Sequence, residues 1–399
     1  MGLLIAKSLG LVVVAILVAI AARRLRLPYT VGLVIAGMTL ALSHGDPGIA
    51  LTRDVIFDLL LPPLLFEAAL NLDGRALLRD ALPVLTLSIL GVLVSAAVVF
   101  LGMRHVLGWP VAPALAFGVL IAATDPVAVI ALFKDLGVAG RFRFLVESES
   151  LFNDGVAAVL FALVLFWLAE DGVIAGSWTL LFTMSGGGIA TGIAVGFLGL
   201  LLAGRTGDHL VETAVTVVAS YGAFLLAENL NFSGVLATVS AGLVIGSASL
   251  RAGGRRLGFS RHGREFAMEF WEFLAFLANS AVFLLMGVTA SRITFAAIGY
   301  LPLAAAIALV LLARAATVYP LAFLFRGTRW AIAGGDQHIL WWAGLRGALA
   351  LALALSLPLN MPMRDAVIIA TFGVTIFSVI VQGLTMPAML HLLGVGRRQ

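Results

Sequence analysis

The 399-residue sequence predicts an all-helical polytopic membrane protein of about thirteen transmembrane helices, and three observations carry that expectation. First, 61% of the residues are hydrophobic and only 12% charged, against roughly 25% charged in an ordinary soluble domain. Second, apolar stretches of about 17–25 residues, the length that crosses a bilayer's hydrocarbon core, follow one another with short polar breaks between them. Third, the cationic residues are divided unevenly between alternate loops.

The apolar stretches fall at 2–22, 29–44, 54–70, 81–103, 111–134, 144–169, 177–203, 210–228, 232–250, 270–290, 295–325, 337–357 and 365–393. Ala19-Ile20-Ala21 has the small-residue look of a leader cleavage site, but Arg23 and Arg24 follow it directly, which favours a retained span. Of the 25 cationic residues, 18 lie in loops on the carboxy-terminal side and 4 (Arg53, Arg104, Arg292 and Arg364) on the other. That bias places the C-terminus in the cytoplasm and the N-terminus outside; the plasma (inner) membrane is the expected location. It also accounts for the net charge of +4 without nucleic acid as a partner. Lys7, Arg314 and Arg346 remain within spans. Lys7 is near an end and can snorkel, whereas the two arginines are candidates for a functional site. Cysteine is absent, which excludes disulfides and thiolate chemistry.

No stretch is left over for a soluble domain, so residues 1–399 read as one transmembrane unit. The largest polar interruption, Arg251–Glu269, reads as a hinge between helix groups. Two spans are broken in their middles, the fifth by Thr124-Asp125-Pro126 and the twelfth by Gly344-Leu345-Arg346-Gly347, and each is followed by one more span. Interrupted segments at matching positions mark an inverted-repeat transporter whose site lies at the repeat interface.

Chemistry gathers at those breaks. Pro126 lacks an N–H and biases Asp125 away from helical geometry, so the backbone at Thr124 should unwind, a costly arrangement in lipid unless something occupies it. Thr124 and Asp125 together offer hydroxyl, carbonyl and carboxylate oxygens, the hard ligands a desolvated sodium ion takes; Asp125 could equally cap the half-helix from Val127. In the sixth span, Ser150 and Asp154 share one helical face, and Glu149 and Asn153 another about 100° away. The first pair can join Thr124 and Asp125 around one cavity, while Glu149 needs a cation, for which Arg346 and Arg314 are the deep candidates. Glu67, after the kink at Pro62-Pro63, reads as lining an ion path or as packed against polar neighbours. The six histidines fall near span ends and have solvation as their default role.

The runs Ala123-Thr124-Asp125-Pro126-Val127-Ala128-Val129, Glu149-Ser150-Leu151-Phe152-Asn153-Asp154 and Gly344-Leu345-Arg346-Gly347-Ala348 resemble the signatures of the sodium/proton antiporters of the NhaP and animal exchanger type. The supporting runs Leu61–Glu67, Asn231–Gly234 and Val381–Thr385 are similar too, so the resemblance covers nearly the whole chain in order. It implies an NhaA-like antiporter fold of thirteen helices and a homodimer. Dimerisation helices would span about 1–80 and 205–290, and a mobile ion-transport core about 81–170 and 295–393. It implies that Asp154 is the central ion- and proton-binding carboxylate, that Asp125, Thr124 and Ser150 help to form the site, that Asn153 holds the crossing of the broken helices and that Glu149 pairs with Arg346. A long cytosolic regulatory tail like that of the animal exchangers is not expected beyond Gln399.

The expected function is secondary active exchange of sodium or lithium for protons, electroneutral at 1:1, by alternating access around Asp154, serving pH homeostasis without a resident cofactor or enzymatic step. Potassium/proton exchange on the same fold is the alternative. A non-transporting membrane sensor or scaffold is the alternative of a different class. An intramembrane aspartyl protease using Asp125 and Asp154 is disfavoured, because the Thr-Asp-Pro break and the buried Glu149 with an arginine suit an ion site better than a shared-proton dyad.

Overall fold

The computed structural model describes residues 2–25, 27–44, 51–135, 137–169, 176–249 and 259–394. Its helices are α1 (Gly2–Leu25), α2 (Tyr29–His44), α3 (Leu61–Asn71), α4 (Gly74–Arg79), α5 (Ala81–Leu85), α6 (Gly91–His105), α7 (Val111–Leu120), α8 (Val127–Asp135), α9 (Arg141–Ala169), α10 (Ser177–Ala203), α11 (His209–Asn229), α12 (Gly234–Ser249), α13 (Arg261–Ala290), α14 (Tyr300–Leu324), α15 (Gly334–Trp342), α16 (Ala348–Leu355), α17 (Arg364–Phe377) and α18 (Gly383–Leu392). Wide π-helical turns at Val55–Leu60, Thr86–Leu90 and Ser378–Gln382 run into α3, join α5 to α6 and join α17 to α18. Seven continuous segments among the described residues are long and apolar enough to cross a membrane. Each of the thirteen apolar stretches coincides with a helix, a joined pair or one of two broken pairs, α7–α8 and α15–α16.

One boundary differs from the sequence reading. The polar run Arg251–Glu269 is not all linker: residues 250–258 lie outside the described set, but α13 begins at Arg261. Ser260 caps it, its hydroxyl accepting from the Gly263 amide at 3.0 Å. The buried Glu212 carboxylate of α11 in turn accepts from the Ser260 hydroxyl at 2.9 Å and from its amide. Arg261 and Glu265, one turn apart, pair on the exposed face, so the helix continues past its apolar part as a solvated amphipathic turn.

The helices pack as two groups. In one, α10 lies on α11 and α12, α12 on α3, and α13 on α2; in the other, α6 lies on α7 and α14, α7 on α9, and α14 on α15 and α17. The tightest seam of the first group is a glycine stripe: a Cβ at Gly188, Gly192 or Gly196 of α10 would press on α12 backbone at Ser233, Ala237 or Ala241. Small residues of this kind let membrane helices approach where lipid supplies no hydrophobic drive.

The second group is fastened at one end, outside the spans, by Asp80. Its buried carboxylate accepts from Arg141 Nε at 2.7 Å and Arg79 Nε at 3.0 Å. Arg141 also reaches the Trp330 and Ala331 carbonyls, each at 3.0 Å, so α5, α9 and the α14–α15 loop meet there. Burial pushes the Asp80 carboxyl up, but the two guanidinium groups outweigh it and hold it below the usual range. A depressed folded-state pKa stabilises above the unfolded value of about 3.9 and loses that contribution as pH falls through the folded-state value. Asp80→Asn should therefore lower stability by about 1–3 kcal/mol at neutral pH. Thermal melts of variant and parent in detergent should converge below pH 4; a gap that persists in acid would show that Asp80's charge is not what holds the junction.

Candidate ion-binding site

The two broken pairs cross, and the crossing is where the chain's buried polar groups converge. Between α7 and α8 the backbone leaves the helix at Ile121–Pro126, as Pro126 requires, and between α15 and α16 it does so at Ala343–Gly347. The groups freed are taken up by the other strand and by α9. The Asp125 amide donates to the Leu345 carbonyl at 2.8 Å, and Arg346 Nη1 donates to the Ala123 carbonyl at 2.9 Å. The Thr124 amide donates to Asn153 Oδ1 at 3.2 Å, and the Ser150 hydroxyl donates to the Thr124 carbonyl. Irregular backbone at membrane depth is thus satisfied from within the protein.

Asp125 sits at two helix starts at once. Its carboxylate accepts from the Val127 amide at 3.0 Å and from the Ala348 amide, so the N-termini of α8 and α16 both point at it. Gly347 makes this approach feasible, because a Cβ there would collide with the Asp125 carboxylate. The expectation that Asp125 either caps or binds is met on its capping side.

On α9 the two faces separate as the helical period requires. Asn153 Nδ2 donates to Thr124 Oγ1 at 2.6 Å and to Glu149 Oε1 at 3.1 Å, so the amide clamps the crossing to α9. Asp154 is on the other face with Ser150. Its carboxylate makes no hydrogen bond or ion pair among the described residues, is partly exposed although it lies mid-helix, and is within electrostatic reach of Asp125 and Glu149. Asp154 is thus a partly exposed acidic side chain with no partner among the described residues, in a helix whose Glu149, Ser150 and Asn153 are each bonded.

Glu149 corrects one expectation. It pairs with Arg314 of α14, through Nη1 to Oε1 at 2.7 Å and Nη2 to Oε2 at 3.0 Å, and not with Arg346. All three side chains are buried, at 2%, 6% and 1% exposure for Glu149, Arg314 and Arg346. The reason is geometric: α14 presents its guanidinium as a two-pronged fork parallel to the carboxylate, whereas Arg346 is turned along the unwound strand toward Ala123. Glu67 is not at the crossing. It accepts from Asn71 Nδ2 at 2.7 Å on α3 and lies within electrostatic reach of Lys134, Glu272 and Glu147; Lys134 of α8 and Glu272 of α13 form an ion pair at 3.0 Å between the two helix groups.

Three contributors escaped the sequence reading. Ser88, in the wide turn Thr86–Leu90, donates to the Glu149 carbonyl at 3.0 Å, and Ser378, in the turn Ser378–Gln382, accepts from the Arg346 amide at 3.0 Å. Isolated serines in apolar runs were their only signal. Gly347 was singled out as part of a helix break, but its role as a cradle for Asp125 needs the crossing partner to be seen.

Comparison with known proteins agrees with this geometry. Residues 11–392 match the family model described as sodium/hydrogen exchanger, transmembrane. The chain is 40% identical over 373 residues to a Na(+)/H(+) antiporter of Aphanothece halophytica, covering 93% of this chain and 70% of that protein. It is 33% identical to an antiporter of the same description from Halobacillus aidingensis, over 98% of both. The fold matches that of a sodium proton antiporter of Methanocaldococcus jannaschii at pH 8, with a TM-score of 0.79 over 99% of each chain at 22% identity. The crossed broken helices, the polar clamp on α9 and these matches together place the chain in the transmembrane sodium/hydrogen exchanger family.

Proposed function

We infer that the chain is a secondary active antiporter that exchanges sodium for protons, with Asp154 as the group that carries one or the other. The observation that bears most weight is the partnerless Asp154 carboxylate on α9, beside a crossing in which Thr124, Asp125 and Arg346 are each hydrogen-bonded. A bare carboxylate is costly to carry through a hydrophobic layer, so the site crosses only when a proton or a cation neutralises it. That exclusion couples the two fluxes. Ser150, on the Asp154 face of α9, and Thr124, whose carbonyl accepts from Ser150, contribute oxygen to the cation, and hard oxygen donors suit sodium.

The other acidic groups are spoken for. Asp125 is tied to two backbone amides, at the starts of α8 and α16, and we assign it the part of a fixed ligand. Glu149 is held by Arg314, and Asn153 does not titrate. One exchangeable carboxylate leads to one proton per sodium ion, an electroneutral cycle. In proteoliposomes with a potassium gradient and valinomycin, the sodium/proton equilibrium point should stay where it is when the membrane potential is changed. A voltage-dependent shift would mean that more protons than cations move and that a second carboxylate takes part.

Movement follows from the two helix groups. The core, about 81–170 and 295–393, carries the crossing, and we assign it the shift between sides; about 1–80 and 205–290 form the fixed, dimerising part, the usual division in inverted-repeat transporters. The cation bias of the loops supports a cytoplasmic C-terminus and an external N-terminus, and we assign the protein to the plasma membrane.

A further inference from the structure

A crevice of about 1070 Å³ separates the two helix groups. One wall is α9 at Phe152, Val156 and Leu160; the other is α10 and α12 at Phe182, Ile189 and Leu243. The volume is at the top of the range for small-molecule pockets, about 300–1,000 Å³, yet its lining is almost wholly apolar and brings no convergent polar groups that would orient such a ligand. The crevice runs from Trp178 at the start of α10 to Leu78 and Ser247 at the opposite end. Along α10 alone, Ser177 to Ile193 corresponds to about 24 Å, most of the roughly 30 Å of a bilayer's hydrocarbon core. It is open sideways: Leu85, Ile89 and Leu93 on one rim and Trp178, Phe182 and Ile189 on the other are all well exposed although they belong to spanning helices.

At one mouth the character changes. The short helix α4 turns Leu77 and Leu78 into the crevice and carries Arg75 and Arg79, both exposed. Arg79 is shared with Asp80. Arg75 makes no ion pair among the described residues, and the nearest carboxylate in sequence, Asp73, is used as the α4 cap, accepting from the Arg75 amide at 2.8 Å. An apolar slot of membrane depth, open to the side and bordered at one end by the helix that carries Arg75, one turn before the lining residue Leu78, has the layout of a phospholipid. We propose that the crevice is an acyl-chain site for an anionic phospholipid, with the chain between α9 and α12 and the phosphate on Arg75. The guanidinium fork suits a phosphate in two-pronged contact. On the reading proposed above, α9 belongs to the moving group and α12 to the fixed one, so the chain lies in the plane along which they slide.

The test does not depend on transport. The full chain is reconstituted in vesicles containing a trace of phosphatidylglycerol, or separately phosphatidylcholine, with a photoreactive diazirine in the lower half of one acyl chain; after irradiation the adducts are mapped by peptide mass spectrometry. Adducts are expected on Val159 and Val239, which line the crevice and are turned away from the outer surface, as well as on outward residues such as Phe197 and Leu198. Wall labelling by phosphatidylglycerol should exceed that by phosphatidylcholine, whose ammonium offsets its phosphate near a guanidinium, about tenfold, the size of one charge-assisted interaction, and Arg75→Gln should abolish the difference. Filling the slot with Leu160→Trp, or independently from the opposite wall with Leu243→Trp, should remove the wall adducts and leave the outer ones. Adducts confined to the outer face, or wall adducts that survive both fillings, would overturn the acyl-chain site; equal wall labelling by the two lipids, or a preference unchanged by Arg75→Gln, would overturn the assignment of an anionic headgroup to Arg75.

Discussion

Asp154→Asn should abolish sodium-driven proton movement in proteoliposomes while leaving the thermal stability of the protein equal to the parent's or above it. The amide matches the carboxylate in volume, so no cavity forms. Asp154 has no bonded partner to lose, and the substitution removes a charge that lies within reach of Asp125 and Glu149, a crowding of like charges that costs the folded state. Loss of exchange together with retained or raised stability is the signature of a group kept for transport at the expense of the fold. Asp125→Asn should also silence exchange, but with a fall in stability, because an amide nitrogen would face one of the two backbone donors at Val127 and Ala348. The two variants therefore separate a carrier from a fixed ligand. Residual sodium-dependent proton flux in the Asp154 variant, measured with a lumenal pH dye, would remove that residue from the centre of the mechanism.

The second large effect is expected at Glu149 and Arg314. Removing either partner leaves a buried charge uncompensated, at a cost of roughly 3–5 kcal/mol. Glu149→Gln and Arg314→Met should each destabilise strongly, and the double variant should be markedly more stable than the sum of the two predicts, since both charges have gone. Glu149→Gln combined with Arg346→Met should come closer to additive, because Arg346 is bonded to the Ala123 carbonyl and not to the carboxylate. Unfolding midpoints of these variants in one detergent would settle it: additivity in the Arg314 cycle would break the assigned pair.

The spans were legible because hydrocarbon imposes a length on every helix that crosses it, and the breaks were legible because Pro126 and the Gly344–Gly347 run violate helix chemistry locally. Glu149 and Asn153, four residues apart on α9, were expected on one face and do share a hydrogen bond there. The choice of arginine was beyond local reasoning. Composition shows only that Arg314 and Arg346 are both within spans, and which one meets Glu149 is decided by how α14 packs, 165 residues away in sequence. The start of α13 was hidden for the opposite reason: Arg261–Glu269 is polar enough to read as a loop, and the cap that makes it helical involves Glu212 from another helix. Likewise Asp80 and Arg141 gave no sign of meeting until the ends of α5 and α9 were placed together.

On the ion-binding role proposed for it, the crossing also bears on how one ion would be told from another. Three residues of the unwound segments are tied at several points: Thr124 at its amide, carbonyl and hydroxyl, Asp125 at its amide and carboxylate, Arg346 at its amide and one arm of its guanidinium. A coordination shell built on such a frame does not expand by rotating a side chain; enlarging it means stretching several hydrogen bonds together in a close-packed interior. The penalty for an ion of the wrong radius is then elastic, spread over the frame, instead of chemical at any one oxygen. Selectivity of this kind is a property of stiffness, and it would be set by residues such as Asn153 and Gly347 that need never touch the ion.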